Sequence, residues 1–280
     1  MGGLFAGISC AVLLLAAGEG APMSLTASEH PWGRFLPNSH CSVQTVTISN
    51  TENRVTQSTQ TVRITLLSVN ENSVTLQESE TIELGGRVVE KEPKSVKYDF
   101  FNVPIQENVR IRQGTPDKLM IDRKVVPCAV RIYEQQTSSG HLTTTVWYTP
   151  HVYPYVIRTE KILRNTPEDE GAAGQILRQS LTFVRETSAL KTLLSNRRNS
   201  AYTLQTIEKA GNITKITDVR CSWDKPGGLL ESTTRELDAQ NREIRRSVSR
   251  MTNYFSHETF PVQPNYRTWT VPATPVETTP

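Results

Sequence analysis

The sequence predicts a mainly β protein: an antiparallel meander of long hairpins, internally duplicated, forming a curved sheet or half-barrel. Three observations point there. Strand-like runs rich in Thr and Val alternate apolar and polar residues, as in SVTLQESETIEL (73–84), where period two puts alternate side chains on opposite faces. Turn-forming clusters separate these runs, often every 12 to 16 residues. One stretch is written twice: TLLSVNENSVTLQ (65–77) returns as TLLSNRRNSAYTLQ (192–205), and ETIELGGRV (80–88) returns as QTIEKAGNI (205–213), in the same order at offsets of 125 to 128. A strand–turn–strand–turn–strand unit that leaves one apolar face bare is covered or extended by a second copy.

The chain opens MGGLFAGISCAVLLLAAGEGAP, with an apolar run from Leu4 to Gly18 and small residues Ala16 and Gly18 at signal-peptidase spacing. The run is shorter than the about 20 residues a spanning helix needs, so residues 1–21 are expected to be a secretory signal peptide. The first basic residue is Arg34, which leaves the segment without the usual basic lead. Residues 22–163 are expected to form a first β-sheet unit and 164–258 a second, either separate or as one continuous domain with the first; 259–280 reads as a Pro/Thr-rich tail. Export to the periplasm, the cell envelope or the medium follows.

The strands come in order. In 73–84, Val74, Leu76, Ile82 and Leu84 share a face that Glu78 and Glu80 interrupt, either by a bulge or by overhanging into solvent. Turns are expected at NTEN (50–53), NENS (70–73), Gly85-Gly86, SSG (138–140), AGN (210–212) and DAQN (238–241), because Gly and Asn tolerate the positive φ of tight hairpins. EDEGAAGQILRQSLTF, after Pro167, has the acids and proline of a helix start and predicts a short helix. SALKTLLS reads as strand by analogy with its repeat partner.

HPWGRFLPNS (30–39), KVVPCAVRIYEQQTSSGHLTTTVWYTPHV (124–152) and SWDKPGGLLESTTRELDAQNREIRRSVS (222–249) resemble, in that order, hallmarks of uncharacterised secreted β-rich bacterial proteins of planctomycete type. Asn38 stands where that pattern has Gly, and Tyr153-Pro154-Tyr155 where Pro-Gly is common. The outline is also similar, at fold level, to lipoprotein carriers of the LolA and LppX type. That resemblance implies an extracytoplasmic half-barrel with an apolar concave face and leaves its ligand open.

Charge and motifs narrow the function classes. With 31 basic and 28 acidic residues there is no bulk attraction to nucleic acid, and none is expected as a partner. A lipid or cell-envelope polymer is. No GxSxG, HExxH, phosphate-cradling glycine loop or acidic calcium loop occurs, so no catalytic residue, metal or cofactor is assigned. Glu78 with Glu80 is the one carboxylate pair a hydrolase reading would use. His30, His40, His141, His151 and His257 are scattered and read as surface or turn residues, His151 being the most suggestive among its tyrosines. Beyond the signal lie Cys41, Cys128 and Cys221, which allow at most one bridge and read best as small apolar strand residues.

Two clusters are candidates for binding. Trp147, Tyr148, Tyr153 and Tyr155, with Trp223, Trp32 and Phe35 as neighbours, would either stack against a ligand at the strand ends or plug the sheet. Arg235, Arg242, Arg245, Arg246 and Arg250, interleaved with Glu236, Asp238 and Glu243, read as a solvated strand pair with cross-strand ion pairs. The sequence therefore supports two functions: binding or carriage of a hydrophobic or envelope ligand in a sheet-lined groove, and a structural or interaction module at the cell surface.

Overall fold

A computed structural model describes residues 24–51, 54–121, 123–150, 153–166, 174–187 and 201–257. Among these, fifteen strands form one antiparallel sheet and its appendages. Strands β1 (His40–Thr51), β2 (Arg54–Asn70), β3 (Ser73–Leu84) and β4 (Arg87–Glu90) run as successive hairpins, and β5 (Lys94–Asp99) pairs the first half of β3. On the far side, β6 (Val109–Gln113) and β7 (Asp117–Ile121) pair successive stretches of β8 (Lys124–Thr137). A meander follows through β9 (Gly140–Tyr148), β10 (Val156–Arg164), β11 (Ile176–Thr187), β12 (Ala201–Ala210), β13 (Ile213–Ser222), β14 (Leu229–Leu237) and β15 (Glu243–Phe255). β15 then pairs β1, so the order is β4-β3-β2-β1-β15-β14-β13-β12-β11-β10-β9-β8-β6. Pairing continues from β10 to β11 across the 163/164 boundary.

The turns sit where the sequence places them. Gly85 and Gly86 adopt φ of 58° and 77°, Gly211 55° and Asn241 61°. Asn38 has φ of 71°, a left-handed conformation that Gly and Asn tolerate best. The short helix expected after Pro167 is not formed where the chain is described. Ile176 to Phe183 lies in β11, and β-sheet pairing on both sides, with β10 and β12, outweighs the weak helical signal. Residues 167–173, and SALKTLLS with the opening of the second repeat, lie outside the described residues, as do the signal segment and the tail. The later repeat blocks occupy matching positions: ETIELGG ends β3 at its turn, and QTIEKAG ends β12 at its turn.

The main core joins residues from opposite ends of the strand order. Val43 of β1, Leu66 of β2 and Val74 and Leu76 of β3 pack in one cluster with Tyr133 of β8 and Val146 and Tyr148 of β9. Strands so far apart in the order meet only if the sheet curves around them, so this face is concave. Its core occupies one end. Burial falls along β3 from Val74, fully buried, to Leu84, 57% exposed. β3 carries no bulge of its own, so Glu78 and Glu80 lie on the concave face where it leaves the core.

Beyond the core, the concave face is hydroxylic. Ladder partners run Thr159, Thr182, Thr206, Thr217, Thr234, Ser247, Thr47 and Ser58 across eight neighbouring strands, all on the face of Val43. Thr182–Thr206, Thr217–Thr234 and Thr47–Ser247 hydrogen-bond side chain to side chain at 2.9, 3.0 and 2.9 Å. The apolar part of the concave face implied by the carrier resemblance is therefore confined to the core end. A second cluster, with Val126, Cys128 and Val130 of β8 and Trp147 of β9, packs under β7.

Candidate functional site

The chain passes from one side of the open sheet to the other through residues 100–108, between β5 and β6. This strap is built by turn chemistry. Asp99 Oδ1 accepts the amide N–H groups of Phe101 and Val103 at 3.0 and 2.9 Å, and Asn102 takes φ of 62°. Asx-type capping fixes the turn and sends Phe100, Phe101 and Val103 into the core. Phe101 meets Tyr148 edge to face at 4.6 Å, and the Arg131 guanidinium lies 4.7 Å from the Phe101 centroid and 5.5 Å from that of Tyr133.

Tyr133 Oη donates to Asp99 Oδ2, and Gln135 Nε2 donates to Gln106 Oε1, so β8 is stitched to the strap at two levels. Burial raises the Asp99 carboxyl pKa, an effect only partly offset by the Tyr133 bond and the two amides. Burial, with the Asp99 charge, also raises Tyr133.

Between strap, β6 and β8 lies a cavity of about 450 Å³. Leu25, Phe100, Phe101, Val103, Pro104, Ile105, Val109 and Ile111 form the apolar part of its wall, and Ser24, Asn72, Asp99, Gln106, Arg131 and Tyr133 the polar part. A smaller recess of about 100 Å³ shares Val103, Val109 and Tyr133 with it and ends at Lys161 on β10. An apolar wall joined by polar groups that can orient a ligand is the usual anatomy of a small-molecule site. A recess of about 360 Å³ among β11 to β14 is more open and charged, and its Arg185 is paired with Asp218 at 3.4 Å.

The six aromatics singled out in the sequence go elsewhere. Trp32, Tyr153, Tyr155 and Trp223 come together at the closed end. The Tyr153 ring meets Tyr155, Tyr202 and Trp223 edge to face at 5.5, 5.1 and 5.1 Å, and the Arg34 guanidinium caps Trp223 at 3.9 Å. Trp32 packs on Gly227 of the β13–β14 turn. Tyr148 is fully buried beside Phe101. Trp147 faces the other way, its Nε1–H donating to Asp117 Oδ2 at 3.0 Å with Arg158 4.5 Å from its ring centroid. None of the six lines the strap cavity or its side recess.

His30, read as a surface or turn residue, does end the short 3-10 turn Ala27–Glu29, but it is 1% exposed within the plug rather than at the surface. Its Nδ1 accepts the Trp32 amide at 3.1 Å, and burial pushes its pKa down to about 4. His151 lies outside the described residues. Glu80 pairs with Lys91 at 2.6 Å, and that hydrogen bond holds its carboxyl pKa below the usual range. The arginine strip is paired as a solvated hairpin: Arg242 with Asp238 at 2.7 Å, Arg245 with Glu236 across the strands at 3.3 Å, and Arg246 with Glu243 at 2.8 Å. Cys41, Cys128 and Cys221 are all free and buried.

Sequence reasoning missed the strap. Its signal is DFFNVP (99–104), where paired aromatics sit inside an Asp–Asn turn sequence. That pattern marks an anchored loop rather than a strand.

No protein-family model matches the chain, and no curated protein matches it. Among solved structures, two that align with it do so weakly. A Vibrio parahaemolyticus domain named for outer membrane lipoprotein sorting aligns at 9% identity and a TM-score of 0.34, covering 80% of this chain and 87% of its own. A porin-like protein from Bacteroides uniformis aligns at 10% identity and a TM-score of 0.26, covering 81% of this chain and 100% of its own. Among the described residues, no helix is long and apolar enough to cross a membrane.

Proposed function

We propose that this protein is an exported, non-catalytic binding protein that holds a hydrophobic or envelope-derived ligand in the groove beneath the strap. The observation that carries the reading is the apolar cavity of about 450 Å³ between the strap and β8. Its volume is in the range of small-molecule sites. The hydroxyl row leaves the rest of the concave face without a comparable apolar surface, which confines such a ligand to this end of the sheet.

The test is binding of the environment-sensitive dye 1-N-phenylnaphthylamine, alongside native mass spectrometry of protein exported to a bacterial periplasm. Ile105, 46% exposed at the cavity wall, is the residue to enlarge. Ile105→Trp is expected to abolish dye binding while leaving the thermal transition near wild type. A wild-type protein that neither brightens the dye nor carries a lipid-sized mass overturns the reading.

A second reading, an interaction module, draws support from β4. All four of its residues are exposed, with Val88 at 63% and Val89 at 56%, which leaves an apolar sheet edge for another chain to pair. Self-association abolished by Val88→Lys, with no dye binding, would favour it.

A further inference from the structure

The polar wall of the strap cavity is unevenly satisfied. Asp99 is engaged on both oxygens: Oδ1 accepts two backbone amides and Oδ2 accepts the Tyr133 hydroxyl. Tyr133 has thereby committed its only proton. Gln106 is engaged with Gln135. Arg131 differs. Its guanidinium leans on the faces of Phe101 and Tyr133 and its charge acts on the nearby Asp99 carboxyl, yet its Nε is buried without a hydrogen-bond partner. Aromatic faces leave the in-plane N–H donors of a guanidinium unspent, and that planar fork matches the oxygens of a carboxylate or phosphate. A buried donor without an acceptor is costly to the free protein, and a ligand oxygen would relieve that cost.

We propose that Arg131 is the head-group subsite of this cavity, and that the ligand is an anionic amphiphile whose carboxylate or phosphate oxygens meet the guanidinium while its tail lies along Leu25, Phe100, Val103, Ile105 and Ile111. The subsite rests on the groove-binding reading above and adds the ligand's chemical class and polarity. Asp99 feels the Arg131 charge, but its hydrogen bonds run to its own turn and to Tyr133, which leaves the guanidinium N–H groups for a ligand oxygen. Lys161, which lines the side recess, is a second cation near the groove and serves as the internal comparison.

The experiment measures displacement of the dye from the full chain by decanoate, decyl phosphate and decan-1-ol, which share a tail and differ in the head. On the wild type, at least one anion is expected to bind about tenfold or more tightly than the alcohol, as for a charge-assisted hydrogen bond; the tighter anion names the head. Arg131→Met keeps the apolar stem. It is expected to erase that preference without changing affinity for decanol, which also shows that the cavity remains folded. Arg131→Lys should restore part of the preference, and Lys161→Met should leave it intact. Equal binding of alcohol and anions to the wild type overturns the subsite while the groove reading stands. A preference that survives Arg131→Met, or that disappears with Lys161→Met instead, overturns the assignment to Arg131. Failure of dye and all three amphiphiles to bind the wild type removes the groove reading itself.

Discussion

Tyr133 on β8 donates its hydroxyl to Oδ2 of Asp99 at the end of β5, and this bond links strands from opposite sides of an open sheet. The same carboxylate nucleates the strap that bridges them. Its loss should therefore be felt at both levels. Asp99→Ala strands two amides and a phenol, and a destabilisation of about 3 kcal/mol is expected in urea unfolding.

Asp99 also sets a pH dependence. Its carboxyl pKa is raised by burial above the ordinary 3.8. The unfolded state releases the proton first as pH rises, so the folded state is favoured most below 3.8 and loses that advantage as pH climbs through the higher folded value. The stability of wild type relative to Asp99→Asn is expected to shrink across that interval. A difference that grows with pH would contradict the raised value.

His30 runs the other way. Burial lowers its pKa from 6.5 to about 4. Between those values the unfolded chain takes up a proton that the folded chain refuses, so stability is full above pH 6.5 and falls as pH drops toward about 4. The loss is about 3 kcal/mol over that window. Thermal melts at stepped pH should show this slope in the wild type and not in His30→Gln. Comparing each variant with the wild type separates it from the opposing Asp99 effect.

Gly227 couples the β13–β14 turn to the aromatic plug. It has φ of 72°, and a Cβ there would stand 2.8 Å from the Trp32 ring. Gly211, with φ of 55° and open space around it, isolates the backbone cost. Gly211→Ala should destabilise by about 1 kcal/mol. Gly227→Ala should cost about 3 kcal/mol, with a blue or red shift of Trp fluorescence as Trp32 is displaced. Equal costs would show that the ring moves aside freely.

The three thiols should be inert in the native state. Burial pushes Cys41 up to about 12 and Cys128 and Cys221 up to about 11, Cys128 with added help from the Asp117 charge. Thiolate is the reactive form, so iodoacetamide at mildly alkaline pH should leave all three unmodified, and denaturant should expose all three. Rapid native labelling of any one would place it outside the core.

Much of the architecture is written locally. The alternation in 73–84, the Asn and Gly turns and the Thr-rich runs dictate long antiparallel hairpins, because each signal acts within a few residues of chain. The balance of charges in 235–250 likewise dictates a solvated hairpin, and the pairing of Arg245 with Glu236 follows from strand register. Which residues become a plug and which become a cavity was decided elsewhere. Trp32 reaches Gly227, and Tyr133 reaches Asp99, only because β15 pairs β1 and the curved sheet brings β8 back toward β3. Composition left the aromatics open between a binding shelf and a plug, and did not mark His30 as buried. Tertiary packing buried His30 and gathered Trp32, Tyr153, Tyr155 and Trp223 at the sheet's end, because a curved sheet must cover its apolar end. The hollow that remains lies beneath DFFNVP and beside Arg131, residues whose partners lie beyond the reach of any local pattern.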